Sequence, residues 1–333
     1  MTARTVTLLD VAREAGVSKS TASDALQGSG RVAEATRDRV REVADQLGYR
    51  PNSAARRLRR ASTGAIGLYL PQTATRLDYY MNLAFGAVER AQEEGLDVVL
   101  LGSAAGAHGP LAPRVDGLLV VDPEIGDPAV PALLDAGVPV VTGERYPGPT
   151  AVPTAAVVCD NAASLTALLD HVRERGAQAP ALLAPEATSS WAQALRTAAR
   201  TWSAERGVSV TVHTVPFAVT PAEAAEHTRR LLAADPAVDA VICAPDGAAP
   251  GVLRAATELG RTIGRDFQLA SCVDGVAVRS CDPPLTAIDL RPAEYGRSCA
   301  ALLCDVLAGR ARPDTVRLHD WALEDRSSAR PAV

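Results

Sequence analysis

"VTLLDVAREAGVSKSTASDAL", Val6 to Leu26, decides how the chain begins to fold. Thr7 can cap a helix from Leu8 to Ala15, with Asp10 three residues on as a weaker form of the capping box. Leu8, Val11, Ala12 and Ala15 share the inner face of that helix. Gly16 supplies a turn, and Ser18 is an N-cap for a second helix through Leu26, with Val17, Thr21, Ala22 and Ala25 turned inward. "QGSGR" breaks the helix; Glu34 to Leu47 resumes with Val40, Val43, Ala44 and Leu47 at helical spacing, and Gly48 ends it as a C′ residue. Three short helices with a tight turn between the first two form a helix-turn-helix unit, whose second helix suits a major groove. Ser18, Lys19, Ser20 and Thr21 crowd the first turn of that helix, and Lys19 is the only lysine in the chain. Asp24 stands where a helix facing a polyanion should not want negative charge.

Charge supports the same division. Residues 1–62 hold twelve Arg and Lys against seven Asp and Glu, so they carry +5, while the rest carries −10 of the net −5. A basic head on an acidic body suggests that the head alone meets a polyanion. "YRPNSAARRLRR" continues the head. Pro51 disfavours helix at Arg50, and Asn52 can cap a new short helix holding Arg56, Arg57, Leu58, Arg59 and Arg60. That segment is shorter than the roughly 12–15 residues a helix needs alone in water, so it forms only when packed or bound. Ser62-Thr63-Gly64 then marks a linker.

From Ala65 the texture changes to apolar runs such as "AIGLYLP", "VDGLLVV", "VPVVTGE", "AAVVCD" and "VDAVICAP", with helix-like segments between many of them. Continuous apolar strands alternating with helices indicate parallel sheets covered on both faces. About 270 residues exceed one compact sheet, so two subdomains are expected. No run of about 18 apolar residues occurs, and residues 1–20 are too polar for a secretory segment, which points to the cytoplasm. The six cysteines form no CxxC pair and the five histidines show no metal spacing; reduced core thiols and no metal are expected. With no GxSxG, HExxH, P-loop or GxGxxG, the sequence offers no enzyme and no cofactor.

Val6 to Arg59, through "GRVAEATRDRVREVADQLGYRPNSAARRLR", closely resembles the DNA-binding head of the lactose-repressor (LacI/GalR) family. The match extends over the body: "AIGLYLP", "VPVVTGER" ending on Arg145, "VCDN" with Asp160, "ERG" at Glu174 to Gly176, and "PPLTAIDL". The resemblance implies an N-terminal all-α helix-turn-helix head with a hinge helix, followed by an α/β periplasmic-binding-protein-like body of two parallel-sheet subdomains joined by three crossovers. The corresponding divisions are residues 1–50 for the head, 51–63 for hinge and linker, and 64–333 for the body, with one subdomain near 64–159 and 290–318 and the other near 160–289 and 319–333. It further implies a homodimer, a palindromic double-stranded DNA operator and a small effector in the cleft. The function expected is a DNA-binding transcriptional regulator of the repressor kind; a cytoplasmic binding protein of the solute-binding class is the alternative. No leucine-heptad tail follows Trp321, which favours a dimer over a tetramer.

Carried over residue by residue, the resemblance makes Lys19, Ser20 and Asp24 base-contacting positions, with Gln27 and Arg31 nearby. Thr7, Ser18, Thr21, Ser23 and Asn52 match positions that touch phosphates or the hinge, Arg56 is a further phosphate candidate, and Ala55 and Leu58 match minor-groove residues, Leu58 as the wedge between base steps. Relatives hold an arginine at Asp24 to grip guanine; an aspartate can instead accept from cytosine N4 or pair with Arg31. In the body, Tyr79 and Tyr80 match an aromatic pair against the ligand, Arg145 an arginine near the cleft floor, and Asp160 an aspartate near the hinge. Asp246 stands where the family has an Asn-Asp pair, Pro245 replacing the Asn; Asp274 matches an aspartate that accepts sugar hydroxyls, and Trp191 joins the cleft candidates. Two departures weaken a sugar as the effector: Ala194 occupies the place of a bidentate arginine, with Arg196 two residues on, and "GSAAGAHGPLAPRVDG" is short where relatives place a helix.

Overall fold

The computed structural model describes residues 6–27, 32–49, 62–71, 77–102, 110–111, 113–149 and 152–329, which fall into two compact units, Met1–Ser62 and Thr63–Val333. Arg31, Asn52, Ala55, Arg56 and Leu58 lie outside the described residues, as does all of the hinge helix.

The head consists of α1 (Leu8–Glu14), α2 (Lys19–Gln27) and α3 (Glu34–Gln46). At α1 the capping box is complete: the Thr7 amide and hydroxyl both donate to Asp10 Oδ2, at 3.0 and 2.7 Å, while Thr7 Oγ1 accepts from the Asp10 amide. Gly16 takes φ 65°, a left-handed geometry that costs other L residues free energy, and the Val17 amide returns to the Ala12 carbonyl at 2.9 Å. Ser18 Oγ accepts from the Thr21 amide at 3.0 Å, so it caps α2 as its sequence position suggests. Val11, Ala15, Ala22, Ala25 and Val40 are fully buried at the centre of the three helices, and Arg39 donates to the Ala15 carbonyl at the end of the α1 cap. Small alanines let the helices approach closely enough for so short a unit to have a dry core.

In the body, β1 (Ala65–Tyr69), β2 (Asp97–Leu101), β3 (Gly117–Val121), β4 (Val140–Gly143), β5 (Ala155–Cys159) and β11 (Thr315–His319) form one parallel sheet in the order β2-β1-β3-β4-β5-β11. A second sheet runs β7-β6-β8-β9-β10-β12, from β6 (Pro180–Ala184), β7 (Thr211–Thr214), β8 (Ala240–Cys243), β9 (Gln268–Ser271), β10 (Thr286–Asp289) and β12 (Ala322–Glu324). Only β12 is antiparallel. The chain passes between the two lobes after β5, after β10 and between β11 and β12. Coverage on both faces holds for β1 and β3, buried throughout, but not for β2, where Leu100 is 59% exposed. An edge strand has only one neighbour, which explains the difference.

Helices α4 (Asp78–Glu93) and α11 (Pro292–Leu307) cross behind the first sheet with glycine at the contact on both sides. A Cβ at Gly86 would collide with the Ala293 carbonyl oxygen, and one at Gly296 with that of Leu83. This close approach lies between one and two turns beyond Tyr79 and Tyr80 on α4. The other helices among the described residues are α5 (Ala129–Leu134), α6 (Asn161–Glu174), α7 (Ser190–Arg206), α8 (Pro221–Ala234), α9 (Ala249–Glu258) and α10 (Val276–Arg279). No helix among the described residues is long and apolar enough to cross a membrane.

Candidate functional site

The head presents an exposed polar surface at the start of α2. Ser18, Lys19 and Ser20 are exposed, Thr21 and Asp24 are half-buried, and the Ser18 hydroxyl lies 2.8 Å from both Ser20 Oγ and Thr21 Oγ1. Thr7 is also exposed, whereas Ser23 is buried on the inner side of α2. Gln27 closes the helix; the pairing of Asp24 with Arg31 falls outside the described residues.

The body holds a narrow cleft between its two lobes, with a cavity volume of about 40 Å³ and a mouth open to solvent. Its lining follows from the parallel sheets. Side chains just beyond the carboxyl ends of parallel strands converge on the crevice between them. Asp122 follows β3, Glu144 follows β4 and Cys159 ends β5; from the other lobe, Asp246 follows β8, Val273 follows β9 and Leu290 follows β10. Asp122 and Glu144 adopt left-handed backbone, with φ 45° and 67°. Such geometry costs on the order of 1–3 kcal/mol for a non-glycine residue and is typical of functional positions. Here it is held by the Asp122 amide donating to the Gly143 carbonyl and the Glu144 amide to the Val157 carbonyl, both at 2.8 Å.

Aromatic rings from both lobes wall the cleft. Tyr79 and Tyr80 meet edge-to-face with centroids 5.0 Å apart, Trp191 and Phe217 do the same at 5.9 Å, and Phe217 reaches across to Tyr80 at 6.5 Å. The lobes also touch through the Ile125 amide, which donates to the Thr188 carbonyl at 2.8 Å. Tyr80 Oη donates to Asp122 Oδ2 at 2.7 Å. Glu144, only 7% exposed, accepts on Oε1 from the Cys159 amide and from Asn161 Nδ2, each at 3.0 Å.

These acids carry the electrostatics of the site. Burial, with the nearby Glu144 and Glu124 carboxyls adding to it, lifts Asp122 to about 7 against the opposing Tyr80 hydrogen bond. Burial likewise raises Glu144, despite hydrogen bonds that favour its charged form, and raises Asp246 despite the Tyr79 and Gly247 amides that it accepts. Among the described residues lining the cleft none is basic.

Of the candidates carried by sequence, Tyr79, Tyr80, Trp191 and Asp246 come together in the cleft. Arg145, Asp160 and Asp274 do not. Arg145 is exposed beside Glu144, and Asp160 caps α6 by accepting from the Ala163 amide at 2.9 Å. Asp274 is gripped by Arg326 through two hydrogen bonds, at 2.8 and 2.9 Å, and by Arg279 at 2.8 Å. Burial would raise its pKa, but the two guanidinium groups outweigh that and hold the carboxyl below its ordinary value. Its lone pairs are spent on structure. Ala194 is half-buried on α7, and Arg196 donates to the Pro185 and Ala184 carbonyls and to Thr214 Oγ1. Most of the short segment after β2 lies outside the described residues, although Leu111 and Val115 at its end are buried in the first lobe.

Sequence reasoning passed over Asp122, Glu144, Cys159, Asn161 and Phe217. The first four share a signal that was available: each stands at or within two residues of the carboxyl end of an apolar strand.

Comparison with known proteins agrees with this architecture. Residues 7–52 match the model of bacterial regulatory proteins of the lacI family, and residues 169–329 match a periplasmic binding protein-like domain. The HTH-type transcriptional regulator CelR of Thermobifida fusca is 30% identical over 332 residues, spanning 95% of each chain. Among solved structures, a complex of the regulator CelR with cellobiose superposes with a TM-score of 0.72 at 27% identity, covering 97% of this chain and 99% of that one. A lac repressor dimer bound to operator and the anti-inducer ONPF shares the fold, with a TM-score of 0.79 at 23% identity over 98% of this chain and all of that one.

Proposed function

The chain belongs to the LacI family of DNA-binding transcriptional regulators, and on that premise we propose that it is a cytoplasmic, dimeric repressor whose grip on a palindromic operator is tuned by a small molecule in the body cleft. The observation that carries this is the pairing of an exposed, lysine-bearing helix start at Ser18–Ser20 with a separate aromatic cleft between two lobes. Lys19 and Ser20 read base edges from the major groove. Ser18, Thr21 and Thr7 serve phosphates or hold the helix start, and Gln27 and Arg31 extend the contact surface. Asn52, Ala55, Arg56 and Leu58 form the hinge contribution, with Leu58 as the wedge into a base step. A ligand with different affinities for the open and closed cleft would shift the subdomains and bias hinge folding, and so change operator affinity. The family relationship supports a regulator over a solute-binding protein or an enzyme.

Selection of bound duplexes from a random pool tests the reading directly. The expected product is a palindromic half-site pair whose binding weakens steeply with salt, since each neutralised phosphate adds to the counterion slope; the lac repressor, a relative, is a standard illustration of that slope. Recovery of no enriched sequence and a flat salt response would overturn it.

A further inference from the structure

The walls of the cleft describe a ligand more narrowly than "small molecule". Three carboxyls from both lobes, Asp122, Glu144 and Asp246, face a space whose remaining surface is chiefly aromatic and aliphatic. No basic side chain among the described lining residues offsets them. The guanidinium nearest in sequence to the expected ligand-gripping arginine, Arg196, is spent on two backbone carbonyls and a threonine hydroxyl. Glu144 is more than nine-tenths buried, held on Oε1 by the Cys159 amide and Asn161 Nδ2, with the Cys159 side chain a further hydrogen-bond partner.

Burial drives these carboxyls toward their neutral forms, and a molecule of positive charge entering among them favours their ionised forms. A phosphate or carboxylate ligand would add to the repulsion. A neutral polyol can hydrogen-bond to these carboxyls but does not favour their ionised forms as a cation does. Four aromatic rings line the same space, and ring quadrupoles attract cations most strongly where water is excluded.

We propose that the cleft takes an organic cation, with an ammonium group among the Asp122, Glu144 and Asp246 carboxyls and its hydrocarbon part against the rings of Tyr79, Tyr80, Trp191 and Phe217. This rests on the cleft being the effector site. Trp191 and Phe217 come from the second lobe and Tyr79 and Tyr80 from the first, so the cation holds the lobes together by bridging them.

The test is calorimetric titration of the full-length protein with cations and their uncharged isosteres: choline against dimethylbutanol, tyramine against ethylphenol, and putrescine against butanediol, with cellobiose as a neutral saccharide. At least one cation is expected to bind about tenfold or more tightly than its isostere. That preference should collapse in both Asp122→Asn and Glu144→Gln, and the comparison within the native protein stands even if either variant folds poorly. Equal binding of cation and isostere, or binding of cellobiose without any cation, overturns the proposal while leaving the cleft as an effector site. Failure of every probe to bind overturns the proposal. Release of a selected operator by cellobiose alone would then keep the effector reading, and release by none of the probes would remove its support.

Discussion

Tyr80 Oη and Asp122 Oδ2 lie 2.7 Å apart, joining the first turn of α4 to the carboxyl end of β3 under the cleft. The hydrogen bond favours the ionised carboxyl, yet burial and the neighbouring Glu144 and Glu124 carboxyls prevail and lift it to about 7. A carboxyl raised in the folded state binds its proton more tightly folded than unfolded. Its stabilising contribution is therefore complete below the unfolded value of 3.8 and is lost as pH rises through about 7. In the ligand-free protein, stability in urea should fall between pH 4 and 7 by something on the order of 4 kcal/mol from this group. Asp122→Asn should flatten that part of the profile; an unchanged slope would show that the carboxyl ionises freely.

The α4–α11 crossing sets a steric prediction. Gly296→Ala places a methyl against the Leu83 carbonyl, backbone that cannot turn aside as a side chain would. The expected cost is about 1–3 kcal/mol, the usual range for overpacking, measured as a lower urea midpoint. Because α4 carries Tyr79 and Tyr80, the same variant should weaken cleft ligands, while the head's affinity for nonspecific DNA stays as it was.

Asp274 separates structure from ligand binding. Its carboxyl neutralises Arg326 and Arg279 within the second lobe. Asp274→Ala removes a buried carboxylate whose partners, Arg326 and the largely exposed Arg279, reach solvent, so a loss of about 1–3 kcal/mol is expected. Ligand affinity measured at a temperature where the variant remains folded should be unchanged. A specific loss of affinity at full stability would return Asp274 to the cleft.

Much of this was legible in the sequence, for physical reasons that differ by region. The head was readable because its signals are local: Thr7 and Ser18 cap, Gly16 and Gly48 turn, and alanines mark the packed faces. Strand runs in the body were readable because buried parallel strands are continuously apolar. The cleft was harder because a one-residue step changes what a side chain faces. Glu144, not Arg145, enters the cavity; Cys159 and Asn161 do so on either side of Asp160, which turns to cap α6. Phe217 carries no local signal at all. It reaches the cleft from the loop after β7 and is placed there only by the meeting of the two lobes.

On the DNA side, Lys19 is exposed at the start of α2 and is the sole lysine of the chain. Lys19→Ala should weaken the selected operator. If the ammonium contacts a base edge, the loss is about 1–3 kcal/mol and concentrates at one position of the half-site. If it contacts a phosphate, all sequences weaken together and the salt slope falls by about one. Binding titrations at several salt concentrations on matched and mismatched duplexes distinguish the two.

Asp24 poses the sharper question about α2. It is half-buried one turn beyond Lys19 and Ser20, on the helix proposed to enter the major groove. An arginine there would reach the O6 and N7 acceptors of guanine in a bidentate grip; an aspartate can only accept, from cytosine N4 or from a nearby guanidinium such as that of Arg31. Asp24→Arg reverses the charge and the hydrogen-bonding sense at once, so a second round of selection from random DNA should return a different preferred half-site, with guanine at the position facing residue 24. Asp24→Asn distinguishes the two roles of the native carboxylate. Loss of cytosine preference at one position marks direct readout, whereas uniformly weaker binding with unchanged preference marks a carboxylate that orders its neighbour. A selected site identical in all three proteins would leave Asp24 without a part in recognition.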